Sequence, residues 1–244
     1  MQNIPLLTSR ESVSEWPEPL GSGAILLMNK PEGWSSFDVV KFVRSRLWVK
    51  KVGHAGTLDP LATGLLICCL GKATKSISQF QEMEKEYRAV IRLGATTDSY
   101  DRGTPIIPGG DMRHIGVSDV EKILQEHFSG EIVQTPPIYS AIKVGGERLY
   151  KKARRGETAE LPPRHVSIYA AEITAFASPD VSMTIRCSKG TYIRSIAHDL
   201  GTLLGCGAYL HALERTKIGP YSVTNAWSPE HLKDWLHAQK DVSS

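Results

Sequence analysis

No stretch of this 244-residue chain approaches the roughly 18 consecutive apolar residues of a membrane span. The first ten residues, Met1 to Arg10, hold no basic segment followed by an apolar one, so no signal peptide is expected. Cysteine is scarce: Cys68, Cys69, Cys187 and Cys206, with an adjacent pair but no C-x-x-C. That leaves little basis for a zinc site or a disulfide framework, and reduced core thiols in a cytoplasmic protein are the expectation. Common catalytic signatures are missing as well. There is no G-x-S-x-G, no H-E-x-x-H and no G-x-x-x-x-G-K-S/T, so serine hydrolase, zincin and P-loop readings lack support. No low-complexity tract and no internal repeat occurs.

What is present is an ordinary globular composition, 41% hydrophobic and 23% charged, on a chain long enough for one large domain or two small ones. The net charge is only +3, but its distribution is uneven. Residues 41–51 contain Lys41, Arg44, Arg46, Lys50 and Lys51 without an acid, a local +5. Residues 143–155 contain Lys143, Arg148, Lys151, Lys152, Arg154 and Arg155 against Glu147 alone, again a local +5 (six bases less one acid). Two concentrated basic stretches on a nearly neutral chain suit a polyanionic partner; two solvated faces are the alternative.

The stretch that draws most attention is Gly53-His-Ala-Gly-Thr-Leu-Asp-Pro-Leu-Ala-Thr-Gly64. Asp59 sits among three glycines and a proline, and the apolar run Leu65–Leu70 follows at once. Pro60 disfavours helix at Asp59, so the carboxylate is expected on a shaped loop leading into a buried strand, where functional residues concentrate. Taken alone, it reads first as a turn Asp capping its own backbone.

Around this loop the pattern reads as interspersed strands and helices. Residues 1–23 form an extended lead-in. Ala24–Met28 is a short strand. Ser35 and Asp38 begin a helix with Phe37, Val40, Val43 and Leu47 on its apolar stripe. Glu86–Leu93 alternates, placing Tyr87, Ala89, Ile91 and Leu93 on one face and Arg88 and Arg92 on the other. Thr96–Pro105 is a loop bearing Asp98 and Asp101. Ser118 with Glu121 caps a helix that stops at Gly130. Residues 134–165 lack periodicity and resemble an excursion from the core. Strands at about 166–176 and 181–188 pair across Ser178-Pro-Asp180, and a helix follows over 190–204. Two short pieces, Ala208–Leu213 and Pro229–His237, close the chain. Without strict strand–helix alternation, the expected class is α+β with a mixed, mainly antiparallel sheet flanked by helices and loops.

Four polar residues lie at the edges of these core elements: Asp59, Tyr87, Arg194 and His54. Arg194 falls in the first turn of a helix, where a cation is disfavoured unless an anion is near; a carboxylate such as Asp59 would serve. An Asp beside Arg stays ionised at neutral pH, which suits a nucleophile or electrostatic stabiliser and not a general acid. No second carboxylate pairs with Asp59 at readable spacing, against a glycoside hydrolase. Tyr87 reads also as an ordinary core Tyr, His54 as a loop His and Lys30 as a solvated turn Lys.

The stretches Leu27-Met-Asn-Lys-Pro-Glu-Gly33, Gly53 to Gly64, Lys85-Glu-Tyr-Arg-Ala89, Thr135-Pro-Pro-Ile-Tyr-Ser-Ala-Ile-Lys143, Gly190-Thr-Tyr-Ile-Arg194 and Leu213-Glu-Arg-Thr216 resemble, in that order, the motifs of bacterial tRNA pseudouridine synthases of the TruB type. The resemblance covers roughly residues 24–225. It implies a pseudouridine synthase catalytic fold over 24–244 and isomerisation of uridine 55 in the TΨC loop of tRNA, without metal or cofactor. It implies Asp59 as the catalytic aspartate, Tyr87 as the residue stacking on the target base and taking the C5 proton, and Arg194 as the partner of the carboxylate. His54 matches the histidine that fills the place of the flipped base. Tyr192 and Leu213 match uridine-pocket positions, and Lys30 a structural lysine. Residues 134–165 resemble the RNA-gripping insertion, which would put Lys143, Lys151, Lys152, Arg154 and Arg155 on phosphates. Asp59 would act either as nucleophile at C1′ or as base at C2′.

Two departures accompany the resemblance. The residues after Thr216 are too few for the PUA domain common in the family, so a short form with fewer contacts to the acceptor end is expected. Glu214 stands where an Arg is frequent. The implied partner is the TΨC stem-loop, with no membrane and no obligate protein partner, and a monomer. A competing class is a tRNA-binding folding factor that acts without chemistry.

Overall fold

The structure, a computed structural model, describes residues 4–9, 20–139, 143–144, 147–148 and 162–242. The chain divides into two compact units, Met1–Glu86 with Glu214–Ser244, and Tyr87–Leu213. Strand pairing is mixed and mainly antiparallel, with helices alongside.

The first unit is built on β2 (Ala24–Lys30) and β4 (Thr63–Leu70), antiparallel and in register from Ala24↔Leu70 to Lys30↔Gly64. β1 (Leu6–Leu7) adds in parallel to β2, and β3 (Val52–His54) pairs with β4. The C-terminal part of β13 (Ala208–Ile218) runs parallel to the start of β4, Glu214↔Thr63 and Arg215↔Gly64. Both faces of β2 and β4 are covered, which is why they read as continuous apolar runs and not as alternation. Ala24, Leu26, Met28, Leu66, Cys68 and Leu70 face one core, with α1 (Ser36–Leu47) and α5 (Pro229–Val242). Ile25, Leu27, Leu65, Ile67 and Cys69 face another, with Ala73, Phe80 and Ile218. The adjacent cysteines therefore point to opposite faces. Burial raises both thiols, Cys69 to about 12, so neither is a thiolate at neutral pH.

The lead-in is better packed than the sequence suggests, for Leu7 is 1% exposed in the first core. The closing helix is longer than expected: it continues to Val242, and its Leu232 packs with Trp227 against β2. After β4 comes a 3₁₀ segment, Gly71–Ser76, and then α2 (Ile77–Glu82), which buries Phe80.

The second unit orders its strands β5 (Lys85–Leu93, from Tyr87 onward), β12 (Asp180–Cys187), β11 (Arg164–Ala177) and β8 (Gly130–Gln134). β5 alternates as read, with Tyr87, Ala89, Ile91 and Leu93 buried. Arg92 on the other face makes a two-pronged ion pair with Asp180, 2.7 and 2.8 Å. The β11–β12 hairpin closes at Ala177↔Asp180 as expected. β8 and β11 pair up to Gln134↔Arg164, so the 134–165 excursion leaves and rejoins at neighbouring strand ends. Within it β9 (Lys143–Val144) and β10 (Glu147–Arg148) pair antiparallel, as do β6 (Ala95–Thr96) and β7 (Ile107–Pro108) after β5.

α3 (Val117–His127) buries Val120 and Leu124. Its cap differs from the expected Ser118–Glu121 box: the Asp119 carboxylate accepts from the Gly116 N–H at 2.8 Å. α4 (Ile193–Leu203) is the helix read over 190–204, with Ile196, Ala197 and Leu200 buried. Among the described residues, no helix is long and apolar enough to cross a membrane.

Candidate active site

The structure places Asp59, His54 and Lys30 in the first unit, and Tyr87, Tyr192, Arg194 and Leu213 in the second. Lys143 lies on the short strand of the excursion. Lys151, Lys152, Arg154 and Arg155 lie outside the described residues.

Asp59 is half-buried on the loop between β3 and β4. Its backbone carbonyl accepts from the Ala62 N–H at 3.1 Å, which closes the turn after Pro60. The flanking residues are fixed by side chains from elsewhere. Ser36, 2% exposed at the start of α1, donates to the Leu58 carbonyl at 3.2 Å and accepts from the Leu58 N–H at 2.8 Å. The Pro60 carbonyl accepts from Lys30 Nζ at 3.1 Å and from the Gly33 N–H at 2.8 Å. Arg215, 2% exposed, donates through Nε to the Leu65 carbonyl at 2.8 Å and through Nη2 to the Gly56 carbonyl at 3.1 Å. Residues 56, 58, 60 and 65 are thus held by three buried polar side chains and one backbone N–H. A carboxylate between such anchors is pre-positioned.

Lys30 is wholly buried at the end of β2 and not the solvated turn Lys that composition allows. It donates to the carbonyls of Pro31 (2.9 Å), Trp34 (2.5 Å) and Pro60 (3.1 Å), three acceptors for the three N–H groups of an ammonium. Burial lowers its pKa to about 8, against the charges of Asp59 and Glu32, which raise it. Between pH 8 and 10.5 the folded chain therefore holds fewer protons at Lys30 than the unfolded chain, so stability rises with pH across that window. Activity should move the other way. The neutral amine has one donor fewer for three carbonyls, so kcat is expected to fall along a basic limb near pH 8, and Lys30→Met should give a lower profile without that limb. The same limb in both proteins would remove Lys30 from the argument.

His54 pairs opposite Cys68. Burial and then the Arg215 charge lower its pKa, so the ring is neutral at pH 7. A neutral imidazole suits packing against a base better than binding a phosphate.

In the second unit, Tyr87 is 9% exposed on β5, and Leu213 is half-buried on β13. Arg194 is 4% exposed at the start of α4. Its Nε stands 3.7 Å from the Asp101 carboxylate, and Nη1 donates to the carbonyls of Ser99 (3.1 Å) and Tyr139 (3.0 Å). Asp101, a residue the sequence marks only as a loop carboxylate, thus provides an anion at this helix start within the unit. Asp101 is itself oriented by Ser99 Oγ (2.6 Å) and the Gly103 N–H (2.8 Å). Tyr192 caps α4, and its N–H and carbonyl pair with the buried Gln134 amide at 2.7 and 2.9 Å. Arg164 stands over the Tyr192 ring, 5.5 Å from its centroid.

Ser36, Gln134, Asp101 and Arg215 are the supports that sequence reasoning missed. A serine or glutamine beside an apolar stripe carries no periodic signal. Arg215 carried one, as a member of the motif Leu213-Glu-Arg-Thr216.

Residues 44–193 match the family described as TruB family pseudouridylate synthase (N terminal domain), and residues 194–244 match the tRNA pseudouridylate synthase B C-terminal domain. The chain is 48% identical over 217 residues to tRNA pseudouridine synthase B of Flavobacterium johnsoniae, covering 86% of this chain and 94% of that protein. It is 48% identical over 228 residues to the Bacteroides thetaiotaomicron protein of the same name, covering 89% and 95%. The Francisella philomiragia protein is 43% identical over 225 residues, covering 92% of this chain and 74% of that one. Among solved structures, a Cbf5-Nop10-Gar1 complex matches with TM-score 0.71 and 29% identity over 90% of this chain. An H/ACA RNP bound to a substrate RNA containing 2′-deoxyuridine matches with TM-score 0.70 and 26% identity over 92% of it. In both, the chain spans a little over half of the matched chain, 56%.

Proposed function

The chain belongs to the TruB family of pseudouridylate synthases, and from that premise we propose that it isomerises uridine 55 in the TΨC loop of tRNA to pseudouridine. The enzyme is an isomerase. The N1–C1′ bond breaks, the base turns, C5 bonds to C1′, and the C5 proton is lost while N1 gains one. Nothing is consumed. Asp59 acts on the ribose, as nucleophile at C1′ or base at C2′, and either role uses the ionised carboxylate. Tyr87 stacks on the uracil and takes the C5 proton, while Arg194 holds the anionic charge. Tyr192 and Leu213 line the uridine pocket. His54 fills the place the base leaves, which offsets an unstacking cost of roughly a few kcal/mol.

The observation that carries this reading is the Asp59 loop, whose neighbours Leu58 and Pro60 are tied down by Ser36 and Lys30. Such rigidity serves a reacting carboxylate and is superfluous in a turn Asp. Release of tritium from C5-labelled uridine in unmodified tRNA tests it: label should appear with the wild-type protein, and the product should map to position 55. Binding and annealing of tRNA without any label released would instead make the chain a folding factor.

We further propose that the 134–165 insertion grips tRNA phosphates through Lys143, Lys151, Lys152, Arg154 and Arg155. Neutralising Lys151, Lys152, Arg154 and Arg155 together should raise KM and flatten its dependence on salt, by a slope of about 3 to 4 in log–log terms. An unchanged slope would sink the phosphate role.

A further inference from the structure

α1 carries a second surface of the kind that nucleic acids take. Its inner face buries Ser36, Val39, Val40, Val43 and Leu47. Phe37 is not on that face, contrary to its expected place in the apolar stripe; it is 54% exposed. At 100° per residue, Phe37, Lys41 and Arg44 fall within an arc of about 60°, and Trp48 follows four residues on. Lys41 and Arg44 are exposed, and Trp48 is 87% exposed. Lys41 Nζ lies 5.0 Å from the Phe37 ring centroid, and the Arg46 guanidinium 5.7 Å from that of Phe42. Aromatic rings and cations thus alternate along roughly 16 Å of helix surface.

Trp48 is the telling residue. It is the C-cap of α1 in the left-handed conformation, φ 54° and ψ 28°. Glycine usually fills such positions, because a side chain there costs about 1–2 kcal/mol. A bulky indole is therefore held in a strained backbone and shown almost entirely to water, with no return inside the fold. The surroundings have one sign of charge. Lys41, Arg44, Arg46, Lys50 and Lys51 are all exposed, and the nearest acid in sequence, Asp38, is engaged with Ser35 and Lys41.

We propose that this stripe is an RNA-contacting surface separate from the Asp59 loop. Trp48 stacks on an unstacked nucleotide, and Lys41 and Arg44 take the flanking phosphates. An unpaired RNA base offers the π-face that an exposed indole needs, and the adjoining phosphates complement the charge. An acidic protein would satisfy the lysines and arginines but leave the indole without a partner.

The inference rests on tRNA being the substrate, so binding and chemistry are to be read separately. Full-length unmodified tRNA is titrated against wild type, Trp48→Ala, Trp48→Phe, Trp48→Gly and Arg44→Glu, and tritium release is measured in parallel. Trp48→Ala and Trp48→Gly should weaken binding about tenfold and raise KM, with kcat at saturating tRNA unchanged. Trp48→Phe should recover most of the loss. Trp48→Gly relieves the backbone strain, so its Tm should equal or exceed wild type, which separates lost binding from lost folding. Arg44→Glu should weaken binding and reduce the salt slope. Unchanged affinity in Trp48→Ala and Trp48→Gly would overturn the inference while leaving the enzyme assignment intact. Absence of label release by wild type would overturn the assignment, with the binding arm still deciding the stripe. Loss of binding to anionic phospholipid vesicles in Trp48→Ala, with tRNA affinity intact, would give the stripe to a membrane surface and also overturn the inference.

Discussion

Asp59→Asn is expected to abolish tritium release, by about 10⁴-fold or more, while Tm and tRNA affinity stay close to wild type. Contacts other than the carboxylate's hold the backbone of this loop. Its turn is closed by the backbone of Asp59 to Ala62, Leu58 is held by Ser36, and Pro60 by Lys30 and Gly33. Asn keeps the size of the side chain and removes the charge, so a dead but folded variant isolates the chemical role. One secondary effect checks the electrostatics. The Asp59 charge raises the Lys30 pKa against burial, so Asp59→Asn should push that value further below about 8. Label release within tenfold of wild type would remove Asp59 from the reaction, whatever happened to Lys30.

Much of this arrangement is legible in the amino-acid order, and what escapes does so for identifiable reasons. The Ser35–Asp38 capping box is local chemistry within four residues, and it forms as read. The β5 alternation follows from a sheet with one face on the core, so Tyr87 falls inward. The α1 stripe is misread at one point because hydrophobicity alone places Phe37 inside. Ser36 takes the inner position because its hydroxyl satisfies both backbone groups of Leu58, a contact 22 residues away that no local pattern encodes. Gln134 and Tyr192, 58 residues apart, pose the same difficulty. Lys30 and Arg215 look like surface cations by composition, and only the fold reveals that each serves buried carbonyls. Family motifs retrieve some of these residues without giving the reason for them. The geometry supplies it.

Gly64→Ala should cost roughly 3–5 kcal/mol of stability, lowering Tm by about 10 °C. Two penalties combine. Gly64 has φ +101°, where side chains are strained, and a Cβ there would collide with the Arg215 backbone O and come within 2.6 Å of its N. Those atoms belong to the parallel pairing of β4 with β13 and cannot move without opening it. Gly33→Ala is the internal control. Its φ of +83° carries similar strain, but nothing lies within 4 Å of the added atom, so about 1 kcal/mol is expected. Equal losses at the two sites would show that backbone strain alone decides and that the close approach to Arg215 does not matter. The Gly64 change should also reach the Asp59 loop. Displacing Arg215 releases the Gly56 and Leu65 carbonyls that its guanidinium holds, so residual activity in the folded fraction should drop as well. Asp59→Asn is expected to remove chemistry and spare the fold, whereas Gly64→Ala should damage both through a single contact. That contrast separates the role proposed for the Asp59 carboxylate from that of the backbone that holds it in place.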